Sequence, residues 1–188
     1  MKYVLGVFGV LVLLILAIIL IFRRAPQTGV NNQTGQKQVV LGEYETKPAT
    51  VSLITRGEVT AEEERRAIRI TVSRNERVLE VLEGYEEKVL SRQTYPNNED
   101  AYRIFLSALD TAGFSREQKS EYKDERGVCP MGRRYVYRLQ NGSDQVLRTW
   151  NTSCSAKSGT FGGNGGVTRR LFQEQIPDYS QQTRGVRL

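Results

Sequence analysis

From residue 39 onward, apolar positions recur at the strand period of two more often than at a helical period. VSLITRGEV (51–59) and AIRITVS (67–73) are rich in β-branched residues, and Ile68, Ile70 and Val72 fall on one side of the second. RVLEVL (77–82) follows the polar turn Arg74-Asn75-Glu76, and EKVLSRQTY (87–95) follows a turn containing Gly84. Four such runs joined by short polar breaks predict an antiparallel meander. The pattern then changes period. In PNNEDAYRIFLSALDTAGF, Asn97 or Asn98 is placed to cap a helix, Glu99 and Asp100 complement its dipole, and Gly113 ends it. Ala101, Ile104, Phe105, Ala108 and Leu109 form the predicted apolar stripe, which should lie across the sheet.

Beyond the helix the signals weaken. SREQKSEYKDERG (115–127) is densely charged and reads as a loop or a ragged exposed helix. SGTFGGNGG (158–166) lacks the Gly-Lys-Ser/Thr of a phosphate loop and the glycine spacing of a dinucleotide fold, so a mobile surface loop is expected. VTRRLFQEQIPDY (167–179) predicts a short helix with Val167, Leu171 and Phe172 inward, stopped by Pro177. The stretch 180–188 carries only a basic signal.

Between these segments lies CPMGRRYVYRLQNGSDQVLRTWNTSC (129–154), with both cysteines of the chain at its ends. Asn-Gly between alternating runs is a strong hairpin signal, because a type I′ turn needs positive φ at both central residues. With Asn141-Gly142 at the tip, Val136 faces Leu147, Tyr137 faces Val146, Arg133 faces Trp150 and Arg148 faces Tyr135. Carried outward, the same register sets Cys129 opposite Cys154, close enough for a disulfide. A redox pair would have its sulfurs two residues apart at a helix start, and zinc would need four ligands. The expectation is a structural disulfide.

The amino-terminal pattern is of another kind. YVLGVFGVLVLLILAIILIF (3–22) is twenty uncharged residues, the length of a helix that crosses a hydrocarbon core of about 30 Å. It ends on Phe22-Arg23-Arg24 with no small-residue cleavage site, so an uncleaved single-pass signal-anchor within residues 1–24 is expected. The flanking positive charges, Lys2 against Arg23 and Arg24, nearly balance. The disulfide tips the topology, since disulfides persist outside the reducing cytosol: amino terminus cytoplasmic, domain outside. APQTGVNNQTGQKQ (25–38) is a polar linker, 39–179 the extracytoplasmic domain and 180–188 a tail.

Composition narrows the chemistry. The chain has no histidine, which excludes Ser-His-Asp and Cys-His catalytic sets and histidine-ligated metals. No cofactor, no metal and no small-molecule ligand are expected. The net charge of +6 is uneven: residues 39–114 carry 10 Lys/Arg against 14 Asp/Glu, and 115–188 carry 13 against 7. In the hairpin register Arg133, Arg148, Tyr135 and Trp150, with Arg169 and Arg170 beside them, form a candidate surface for an anionic polymer. The bland alternative is a set of cross-strand pairs that stabilise the ribbon. The fold expected is α+β: an amino-terminal transmembrane helix, then an antiparallel meander with a disulfide-stapled hairpin, packed by one main helix and a short carboxy-terminal one. The function expected is non-enzymatic binding or scaffolding outside a membrane. The alternatives are a subunit of an envelope (secretion or division) complex with protein partners, and a basic domain that binds an anionic polymer.

Overall fold

A computed structural model describes residues 39–154 and 159–188. The expected meander is present as β1 (Ala49–Arg56), β2 (Arg66–Val72), β3 (Glu76–Glu83) and β4 (Lys88–Pro96). After helix α1 (Glu99–Thr111), the hairpin β5 (Arg134–Asn141) and β6 (Asp144–Thr152) returns to β1. The result is one six-stranded antiparallel sheet in the order β4-β3-β2-β1-β5-β6. Helices α2 (Gly165–Gln173) and α3 (Tyr179–Gln182) complete an α+β domain. The apolar segment 3–22, expected to cross a membrane, lies outside the described residues. Among the described residues no helix is long and apolar enough to do so.

Each face of the sheet has its own core. On the helix face Val51, Leu53, Ile68, Ile70, Leu79, Tyr137 and Leu139 meet Phe105, Leu106, Leu109 and Phe172. The Phe105 and Phe172 rings pack edge to face at 5.2 Å. On the opposite face Ile54, Ala67, Leu82, Val136 and Trp150 are covered by Val128 and Cys129 from the segment between α1 and β5.

Helix α1 is capped by Asn98, whose side chain accepts from Ala101 N at 2.8 Å, and Gly113 ends it with φ +77°. Its buried stripe is rotated from the expected one. Tyr102, Phe105, Leu106 and Leu109 face the sheet, whereas Ala101 is exposed and Ile104 is 65% exposed. Tyr102 settles the rotation, because its ring fills the core while its hydroxyl donates to Ala49 O at 3.0 Å. Helix α2 buries Phe172 and packs Leu171 against the core as expected, but Thr168 is buried in place of Val167, which is exposed. The single helix expected to Pro177 ends at Gln173 instead, and α3 follows Pro177. Val186 and Leu188, in the stretch read as a tail, pack against the helix-face core.

The hairpin register differs from the expected one. Val136 faces Trp150, Tyr137 faces Thr149, Arg138 faces Arg148 and Leu139 faces Leu147. Two local causes add up. The turn centres on Gly142-Ser143 with positive φ at Gly142 alone, the position where a type II′ turn takes glycine. A bulge then leaves Val146 unpaired in β6. The combined shift is odd, so it exchanges the faces of the partner side chains.

The disulfide Cys129–Cys154 nevertheless forms, with Cα atoms 5.9 Å apart. Continued pairing would set Gly132 opposite Cys154. Instead Cys129, at φ +53°, folds back through a turn closed by Gly132 N donating to Cys129 O at 3.1 Å. A Cβ on Gly132 would stand 2.5 Å from Cys129 Sγ, so the absence of that atom makes room for the bridge.

The glycine-rich stretch is packed, contrary to expectation, from Gly159 onward. Gly159 is buried where a Cβ would overlap the Trp150 carbonyl, and Phe161 stacks on Tyr137 at 4.1 Å. Phe161 N donates to Trp150 O at 2.9 Å, which covers the outer edge of β6. The glycines permit backbone to approach backbone.

Candidate functional site: an arginine-lined cleft

The observed register disperses the aromatic and basic surface expected on the hairpin. Tyr135 lies on the helix face, where the Arg169 guanidinium sits 4.3 Å from its ring centre. That contact joins two of the expected residues. Trp150 and Arg148 lie on the opposite face, Trp150 buried against Val136 instead of opposite Arg133. Arg148 faces Arg138 and not Tyr135. Arg133 is exposed just before β5, and Arg170 points to solvent beside Glu174. The six do not share one face of the hairpin.

Arg148 belongs to a different assembly. Even positions of β5 and, past the bulge at Val146, of β6 share the face away from the helices, so Arg134, Arg138 and Arg148 project together. Arg56 at the end of β1 pairs across the ladder with Arg134. Arg65 arrives from the segment preceding β2 and lies 4.1 Å over the Tyr85 ring. These five arginines line an open cleft of about 560 Å³ with Tyr85, Glu87 and Glu125. At its rim Lys123 and Arg126 are balanced by Glu86 and Asp124.

Two carboxylates answer the five guanidinium groups. Glu125 is 2% exposed and accepts from Arg148 Nη2 at 2.8 and 2.6 Å, one bond to each oxygen, and it also pairs with Arg56 Nη1. Burial alone would favour its neutral form. The Arg148 hydrogen bonds, a backbone donor and the charges of Arg148 and Arg56 outweigh that and hold it below the usual carboxylate range. Glu87, at φ +57° in the β3–β4 turn, accepts from Arg56 Nε at 2.7 Å. Both are charge-assisted contacts, the stronger class of hydrogen bond.

The remaining arginines lack such partners. Arg134 is 2% exposed, donates from Nη2 to Gly57 O, and keeps its Nε buried without an acceptor. Arg65 is 6% exposed, donates to Gly84 O at 2.9 Å, and has a buried Nε in the same condition. Arg138 has a buried Nε without an acceptor and no carboxylate within ion-pair distance among the described residues. Burial, then the charges of Arg65 and Arg56, push the Arg134 guanidinium below its ordinary range. Burial, with Arg148 and Arg56, does the same to Arg138.

Two like-charge cross-strand pairs, Arg56 with Arg134 and Arg138 with Arg148, stand on one face of this sheet. Such pairs oppose folding unless something neutralises them. Departures of this kind from local rules concentrate at functional sites. Among the described residues no group of three or more acidic or cysteine side chains could hold a metal.

The sequence reading omits Arg56, Arg65, Arg134 and Arg138. One signal for part of the set was present: the even spacing of Arg134 and Arg138 places both on one strand face. Glu125, inside a densely charged loop, carries no such mark. No protein-family model, no curated protein and no solved structure matches the chain.

Proposed function

We propose that the chain is a non-enzymatic binding or scaffolding module, held at the outer face of a membrane by residues 3–22, whose arginine cleft receives an anionic partner. The excess of arginine over carboxylate in a partly buried cleft carries the binding reading. The uncharged run 3–22 and the polar linker 25–38 support membrane presentation, and the Cys129–Cys154 bridge supports an oxidising compartment. Glu125 is paired with Arg148 and Arg56, which hold it ionised and unsuited to donating a proton at neutral pH. That arrangement suits recognition by charge.

Two measurements test this. Protease added to intact cells should remove the domain, and alkylation before and after reduction should find Cys129 and Cys154 bridged. A protected domain with free thiols would place it on the other side and overturn the topology. Full-length protein should bind heparin resin and elute earlier as Arg138→Gln than as wild type. Identical elution would remove the cleft from the binding surface.

A second reading, a subunit of an envelope assembly, is favoured by one feature. Strand β4 ends the sheet, all its residues but Tyr95 are exposed, and Val89 and Leu90 are 44% and 47% exposed. An open edge of this kind accepts a further strand. Mild solubilisation should then recover a stoichiometric partner whose retention is lost on Leu90→Pro, while a lone monomer would count against it.

A further inference from the structure

We infer that the cleft takes a phosphate-bearing anion of more than one negative charge, with Arg138 as the residue that makes the first bidentate contact. The inference rests on the reading of the cleft as a binding site and narrows its chemistry.

Charge balance decides between anion classes. Five arginines against Glu87 and Glu125 leave an excess of three positive charges, and the rim residues cancel one another. One carboxylate would neutralise a single charge, whereas a phosphate monoester carries about −1.5 to −2 at neutral pH and a pyrophosphate group carries more. Geometry points the same way. A planar guanidinium offers two parallel N–H donors that match two oxygens of a phosphate. Arg56 and Arg148 already spend donors on Glu125, and Arg134 and Arg65 spend theirs on Gly57 O and Gly84 O. Arg138 lines the same cleft with none of these commitments. It stands directly opposite Arg148, so an oxyanion between the two would convert a like-charge pair into a bridged one.

Glu125 marks where such a group can sit. Its carboxylate lies between Arg56 and Arg148 as an internal anion, and it leaves Arg138 and Arg134 unneutralised. The cleft, at about 560 Å³, is larger than a single phosphate requires. It falls in the range of roughly 300–1,000 Å³ typical of small-ligand sites. The phosphate can therefore belong to a soluble molecule or to a lipid headgroup.

The test uses the full chain in detergent, with ionic strength held constant by chloride. The thermal midpoint is followed against four probes: pyrophosphate, orthophosphate, malonate and a phosphatidic acid with short, water-soluble acyl chains. Pyrophosphate should raise the midpoint saturably and at lower concentration than malonate. Arg138→Gln should weaken the apparent affinity at least tenfold, Arg138→Lys less, and Arg170→Gln, outside the cleft, not at all. The ligand-induced shift is read, not the midpoint itself, because removing a crowded arginine changes the stability of the free protein. A response to phosphatidic acid that pyrophosphate does not produce, lost in Arg138→Gln, would support a lipid phosphate as the source. A response to both supports a soluble phosphate. Equal, Arg138-dependent responses to malonate and pyrophosphate would overturn the phosphate assignment and keep the anionic cleft. No Arg138-dependent response to any probe would overturn both.

Discussion

Replacing Glu125 by glutamine removes one negative charge and changes side-chain volume little, so it isolates the electrostatic role of the carboxylate. The group is 2% exposed, accepts twice from Arg148 and pairs with Arg56. Breaking a buried ion pair from one side costs about 3–5 kcal/mol, since the partner is left buried and unpaired. Arg56 and Arg148 side chains are 12% and 25% exposed, so water takes over part of their solvation and the lower end applies, about 3 kcal/mol. For a domain of this size that corresponds to a fall of about 6–12 °C in Tm. Trp150 is the one tryptophan of the chain and is buried, so urea unfolding followed by its fluorescence reports the loss directly. Linkage adds a sign. The folded carboxyl is held below its unfolded value of 4.5, so its contribution is complete above about pH 4.5. It is lost as pH falls through the folded value. The gap between wild type and Glu125→Gln should therefore be flat from pH 7 to about 5 and narrow below that. A gap under about 1 kcal/mol at pH 7, or one that widens on acidification, would refute the assignment of Glu125 as the internal counter-ion of the cleft.

Four further outcomes are expected. Gly159→Ala sets a Cβ into the Trp150 carbonyl and should cost about 1–3 kcal/mol by overpacking, and an unchanged urea midpoint would mean that the stretch is not packed as described. Cys129→Ser with Cys154→Ser opens a loop of sequence separation 25 and should cost about 3.5 kcal/mol on the loop-entropy account; wild type unfolded in reductant should match the double variant. Ile104→Ser should change stability by no more than about 0.5 kcal/mol, while Leu106→Ala should cost about 2–5 kcal/mol. The reverse order in urea melts would restore the stripe expected from the sequence over the one in the fold. Burial pushes the Tyr137 hydroxyl up to about 12 from 10, so stability present below about pH 10 should fall as pH rises toward 12. Tyr137→Phe should flatten that decline in alkaline melts.

Where structure depends on neighbours in sequence, the amino acids alone determined it. Alternation at Ile68, Ile70 and Val72, a cap at Asn97 or Asn98 and the stop at Gly113 were legible because strand period, capping and positive φ are local properties; the fold chose Asn98. The cysteine pairing was legible too, although the register that suggested it was not the one that forms. A single bulge at Val146 and a turn moved onto Gly142-Ser143 were enough to exchange faces, and such shifts depend on packing that propensity does not describe. Packing likewise rotated α1 toward Tyr102, whose hydroxyl finds its acceptor only once β1 is in place. The cleft belongs almost wholly to tertiary structure. Arg134 and Arg138 share a strand face by parity alone, but Arg56 joins them because β5 pairs with β1 across the length of the domain. Glu125 looks solvated in sequence and is buried in the fold, since only there do Arg56 and Arg148 converge on one point and compensate its loss of water.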